Sequence, residues 1–137
     1  MYYIKFIMKN NFSKLVEYLY YFSLVALFIL YLFPGSLIGY FLYGNLGQQP
    51  NLIPNPLGTS INHFLFFMYF SILAVNCDLK KNLILTNFYF ILFVSAILEI
   101  SHFIVPNRAF ENYDLIANML GVIFIFLTTK IIRWLKQ

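Results

Sequence analysis

The stretch LVEYLYYFSLVALFILYLFPG, Leu15 to Gly35, decides the fold. Apart from Glu17 near its start it is a continuous apolar run closed by Pro34-Gly35, close to the roughly 20 residues a helix needs to cross a bilayer. A β-barrel strand would alternate apolar and polar residues; continuous runs of this length specify helices. Outward from it, no Asp, Glu, Lys or Arg occurs between Tyr18 and Cys77. The whole chain of 137 residues is 61% hydrophobic, 21% aromatic and 10% charged. A soluble domain of this size leaves too much of its surface wet to hide such a composition, and disorder requires the opposite balance. One domain of an all-α integral membrane protein remains.

Three further apolar segments follow, at Ile61–Cys77, Leu83–Val105 and Leu115–Trp134. With the first segment, at Leu15–Phe33, they predict a four-helix transmembrane bundle. Pro106 stops the third, because the residue before a proline disfavours helix. Trp134 beside basic residues suits the headgroup region. The first segment has a basic front, Lys5, Lys9 and Lys14, but it is bulky and no small-residue cleavage site follows, so it reads as a retained anchor. The stretch from Pro34 to Ser60 is uncharged and rich in proline and glycine. Its first part, Ser36 to Tyr43, reads as an interfacial helix; Gln48 to Thr59 reads as an ordered polar loop. Cys77 is the lone cysteine, which excludes an internal disulfide.

Four crossings place eight of the nine Lys and Arg residues on one side, leaving only Arg108 on the other. The positive-inside rule makes the basic side cytoplasmic, with both termini there. That side carries net +6 and the outer side net −2. The basic pI therefore reflects topology, and we expect no nucleic-acid partner.

Polar residues within a membrane protein are functional suspects, and here they gather at the outer end: His63, Glu99, His102, Arg108, Glu111, Asp114 and Asn118. Glu99 and His102, spaced i and i+3, share a helix face with Ser95. Asp114, Asn118 and Gly121 share another. Glu99 falls roughly 9 Å below the helix end if the third helix runs to Val105, so its carboxyl is either protonated or paired with Arg108 or a histidine. Each residue has a plain alternative. Asp114 is a helix N-cap or a site residue; Arg108 is a salt-bridge partner of Glu99 or Asp114, or an anion clamp; Asn118 is interhelical glue or a ligand-binding amide; His63 is interfacial or catalytic. Ala117 and Gly121 form a small-xxx-small pair for close helix packing. The one Glu-x-x-His pair lacks the second copy that di-iron bundles use, and Arg108 repels a cation. We therefore expect neither metal nor cofactor.

The run Glu99-Ile-Ser-His-Phe-Ile-Val-Pro-Asn-Arg108, continuing through Asp114-Leu-Ile-Ala-Asn118-Met-Leu-Gly121, resembles the VanZ-like family. The family pattern is Glu-x-x-Gln, Pro-x-Arg, then Asp-x-x-x-Asn-x-x-Gly opening the last helix; His63-Phe64 is similar to its upstream His-Phe. Two positions depart from it: His102 replaces the family's Gln, and Thr59-Ser60 replace its Asp-Lys. The resemblance implies a cell-envelope protein of the inner membrane, in a family whose founding member is associated with teicoplanin resistance. It implies no reaction.

Three functions are weighed. The first is an accessory protein whose outer-leaflet site binds a lipid-linked cell-wall precursor, a phospholipid headgroup or a partner helix. Arg108 and Asn118 would serve as anion- and substrate-binding residues. The second is an enzyme acting on a lipid-linked substrate, with Glu99, His102, His63 and Asp114 as candidates for acid-base chemistry. Transport is a third option, which four helices serve only in a homo-oligomer.

Overall fold

The computed structural model describes residues 2–50, 58–81 and 84–137. Their regular structure is helical: α1 (Tyr2–Leu32), α2 (Leu37–Tyr43), α3 (Gly58–Lys81), α4 (Phe88–Ile100) and α5 (Asn112–Leu135), with single 3-10 turns at Ile84–Thr86 and Ser101–Phe103. Three helical segments are long and apolar enough to cross a membrane: Asn11–Leu32, Ser60–Cys77 and Asn112–Leu135.

The third apolar segment differs from its sequence reading. Instead of one helix over 83–105, α4 has 13 residues, about 20 Å of rise against roughly 30 Å of hydrocarbon. Asn87 sets its start by accepting a hydrogen bond from the Tyr89 N–H at 2.9 Å, as an N-cap does. At the other end the chain tightens into the Ser101–Phe103 turn before reaching Pro106. Glu99 therefore stands one residue from the end of α4, not six residues inside a longer helix. The first helix is longer than expected, beginning at Tyr2. The expected helix after Pro34 is present as α2: the Ser36 hydroxyl accepts from the Gly39 N–H at 2.9 Å and Gly44 closes it in the left-handed conformation. Of the loop expected over Gln48–Thr59, residues 51–57 lie outside the described residues.

Helix direction follows from cross-helix pairs. Ser60 meets Asp114, and a Cβ on Gly121 would meet Phe64, so α3 and α5 run parallel. Phe88 packs on Phe126 while Asn118 reaches Ser95, so α4 runs antiparallel to α5. Tyr31, at the end of α1, meets His63, near the start of α3, so α1 opposes both. The core is apolar and aromatic. Tyr20 is fully buried, stacks on Phe70 with ring centroids 4.9 Å apart, and donates its hydroxyl to the Leu85 carbonyl. Leu27, Phe67, Ile91, Leu98 and Val122 complete the interior. Outward, large apolar side chains stand bare: Phe22, Phe41, Tyr89 and Phe103 are each 70% exposed or more. A soluble monomer rarely leaves such patches; the surface is compatible with contact to lipid.

Gly121 marks the closest helix approach. A Cβ there would lie 2.6 Å from the Phe64 carbonyl oxygen and 3.1 Å from the Met68 nitrogen. Ala117, one turn earlier, is buried in the same helix.

Candidate functional site

Because α1 ends where α3 and α5 begin and α4 ends, one end of the bundle collects side chains from four helices. Glu99 and Asn118 are fully buried, Asp114 is 4% exposed and His102 5% exposed. Glu99 sits at the centre. Its Oε1 accepts from His102 Nδ1 at 3.1 Å and from the Glu111 N–H at 3.3 Å. Its Oε2 lies 3.7 Å from His63 Nδ1 and 3.5 Å from Asn118 Nδ2. Asp114 is split the same way: Oδ1 accepts from the Ser60 hydroxyl at 2.5 Å, and Oδ2 faces His63 Nε2 at 3.5 Å.

Asn118 and Tyr31 set the proton positions. Asn118 turns Nδ2 toward the Ser95 carbonyl and Glu99, which fixes Oδ1 as an acceptor. The Tyr31 hydroxyl donates to that Oδ1 at 3.0 Å and stands 2.7 Å from His63 Nδ1. Having given its proton to Asn118, Tyr31 accepts from His63, so the network assigns the proton on His63 to Nδ1. His63 Nδ1 also lies 3.1 Å from Asn118 Oδ1. Tyr31 stacks on His102 as well, at 5.4 Å between centroids and 15° between planes.

Of the two roles weighed for Arg108, the salt bridge to Glu99 or Asp114 does not form. Its Nη2 donates to the Leu30 carbonyl and its Nε, more weakly at 3.5 Å, to the Phe33 carbonyl. These carbonyls end α1, where the last turn lacks intrahelical donors and a cation is favoured. The aim comes from the turn before it. Asn107 takes a left-handed φ of 57° and the Arg108 N–H closes onto the Val105 carbonyl at 3.3 Å; asparagine tolerates that conformation. Burial pulls the guanidinium pKa down, and Tyr31 and Glu99 oppose this. Burial, with Asp114 and Glu99 nearby, pushes the Glu111 carboxyl above its ordinary value.

Asp114 is not the N-cap of α5. That position belongs to Glu111, without a side-chain cap bond, and Asp114 stands in the first turn bonded to Ser60. Tyr31 and Ser60 are the site residues that residue type alone did not single out. Tyr31 is one of eleven tyrosines; its one signal is position, three residues before Pro34 at the same end as the polar cluster.

Beside the cluster a half-open cleft of about 150 Å³ lies between the end of α1, α2 and the start of α3. Arg108, His63, His102, Asn62 and Gln49 supply its polar lining; Leu30, Leu37, Ile38 and Phe66 supply its apolar walls. Gln49 and Asn62 belong to it because the Asn62 amide holds the Pro50 carbonyl. His63, Glu99 and Asp114 each offer one metal-ligating atom within 4.8 Å of the other two.

No protein-family model, curated protein or solved structure matches the chain.

Proposed function

We propose that this chain is a VanZ-like protein of a bacterial-type cytoplasmic membrane, crossing it four times, and that it acts as an accessory which binds an anionic lipid headgroup or lipid-linked envelope precursor at the outer leaflet. The parallel course of α3 and α5 supports the fourth crossing. If both cross the bilayer in one direction, the intervening chain with α4 returns in the other. The positive-inside asymmetry then puts the Arg108 end outside.

The observation that carries the binding reading is the lining of the cleft. An arginine, two histidines and two amides stand against aliphatic and aromatic walls. That pairing suits an amphiphile with an anionic head, and Arg108 retains N–H donors beyond the two spent on α1. An enzymatic reading rests on His63, whose ring lies between two carboxylates; that arrangement suits acid-base work.

One experiment separates them. Purified protein in nanodiscs is incubated with radiolabelled polyprenyl phosphate and with a neutral polyprenol. Saturable retention of the unaltered phosphate, lost with Arg108→Gln, is expected. A converted product would favour the enzyme, and equal retention of the neutral polyprenol would defeat headgroup recognition. A link to glycopeptide resistance predicts that expressing the chain raises the teicoplanin concentration a susceptible host tolerates.

A further inference from the structure

Two carboxylates are buried together at the end of this bundle, and among the described residues no Lys or Arg nitrogen lies within ion-pairing distance of either. Buried charges are ordinarily paired or bound to a metal. The grounds on which the sequence argued against a metal weaken in the fold. Arg108 keeps its charge but turns two of its N–H groups to the carbonyls of α1 and not to Glu99 or Asp114. A second Glu-x-x-His copy is not needed when Asp114 of α5 and His63 of α3 each offer a ligand atom within 4.8 Å of one on Glu99.

We propose that His63, Glu99 and Asp114 bind one divalent transition-metal ion of the zinc class. The proposal stands independently of headgroup binding. Its first support is the direction of the free donor atoms. In the neutral ring the proton on His63 lies on Nδ1, toward Tyr31 and Asn118, which leaves the Nε2 lone pair facing Asp114 Oδ2. A lone pair aimed at a carboxylate oxygen is repulsive unless a second proton or a metal ion stands between them. The 3.5 Å separation exceeds that of an ordinary N–H···O bond. It equals the edge of a tetrahedral zinc site, about 3.4 Å for ligand bonds near 2.1 Å.

The second support is the outer partners. Ligating histidines and carboxylates are oriented by hydrogen bonds on their far atoms, and all three residues have them. His63 is held through Nδ1 by Tyr31 and Asn118. Asp114 is held through Oδ1 by Ser60, leaving Oδ2 toward His63. Glu99 is held through Oε1 by His102 and the Glu111 N–H; its Oε2, 3.7 Å from His63 Nδ1 and 3.5 Å from Asn118 Nδ2, swings toward Nε2 to complete the set. Three protein ligands leave one coordination position open, as in catalytic zinc sites. His63 is the ligand that lines the cleft, so the route for the ion begins there.

The test uses the full chain in nanodiscs, stripped with a chelator and titrated calorimetrically with zinc, with magnesium as the hard-cation control. One equivalent of zinc per chain is expected, with no comparable magnesium binding. Asp114→Asn and His63→Gln should abolish it, and Tyr31→Phe should weaken it about 10- to 100-fold while circular dichroism stays unchanged. Zinc-edge absorption on the wild type should show only nitrogen and oxygen neighbours near 2.0–2.2 Å. Substoichiometric binding, a sulfur neighbour from Cys77, or wild-type affinity in Tyr31→Phe together with either folded ligand variant would overturn the site. If the ligand variants fail to fold, stoichiometry, the absorption spectrum and Tyr31→Phe decide it.

Discussion

Arg108, in the loop before α5, donates its Nη2 to the carbonyl oxygen of Leu30 in the last turn of α1. The chain thereby ties its first long helix to the segment before its last one. The bond is charge-assisted and half-buried, a kind whose loss costs about 1.5–3 kcal/mol. Arg108→Ala should lower the unfolding midpoint accordingly. Arg108→Lys should recover part of the loss, because a lysine reaches one carbonyl but not two in a planar fork. Thermal denaturation in detergent measures both, and equal stability of all three proteins would refute the strap.

Gly121 is fixed by backbone rather than by a movable side chain. A Cβ would fall 2.6 Å from the Phe64 carbonyl oxygen, so α3 and α5 must separate to admit even alanine. Overpacking of this kind costs about 1–3 kcal/mol. Gly121→Ala should be measurably destabilised and Gly121→Leu should fail to accumulate in the membrane. Normal expression and melting of the leucine variant would show that the helices part freely.

The legible and the illegible parts of this site have different physical origins. Continuous apolar runs announce helices, and burying a carboxylate is costly enough that Glu99, Asp114 and the histidines stand out in any reading of the chain. The extent of α4 was not legible, because Leu83 to Val105 is predominantly apolar and only the Asn87 cap and the Ser101–Phe103 turn cut it short. The backbone partners of Arg108 were hidden for a related reason. Residue type suggests a carboxylate partner, but the orphan carbonyls of α1 have no sequence signature beyond Pro34-Gly35. Tyr31 was hidden among lipid-facing aromatics, since only the register of α1 against α3 turns it inward.

The orientation of the proposed bundle is open to chemical labelling. Asn45, exposed just after α2, should lie outside, and the C-terminal residue inside. In a Cys77→Ser background, Asn45→Cys should react with an impermeant maleimide in intact cells. Gln137→Cys should react only after permeabilisation. The reverse pattern would invert the topology, and labelling of both from outside would remove the fourth crossing.

Glu99 separates a functional site from a structural network. Glutamine keeps the shape and one oxygen, so the bonds from His102 and the Glu111 N–H survive at the Oε1 position. At the other position an NH2 would replace Oε2 and face Asn118 Nδ2 and the protonated Nδ1 of His63. Donors would then oppose donors at 3.5 and 3.7 Å, long contacts with a modest energetic weight. Side-chain hydrogen bonds between membrane helices average about 0.6 kcal/mol, so Glu99→Gln should fold and melt within a few degrees of the wild type. Neutralising Glu99 removes a negative charge that repels an anionic headgroup bound nearby. Retention of labelled polyprenyl phosphate per folded protein should therefore rise in Glu99→Gln while the melting temperature barely moves. Retention unchanged from the wild type would assign Glu99 to structure alone.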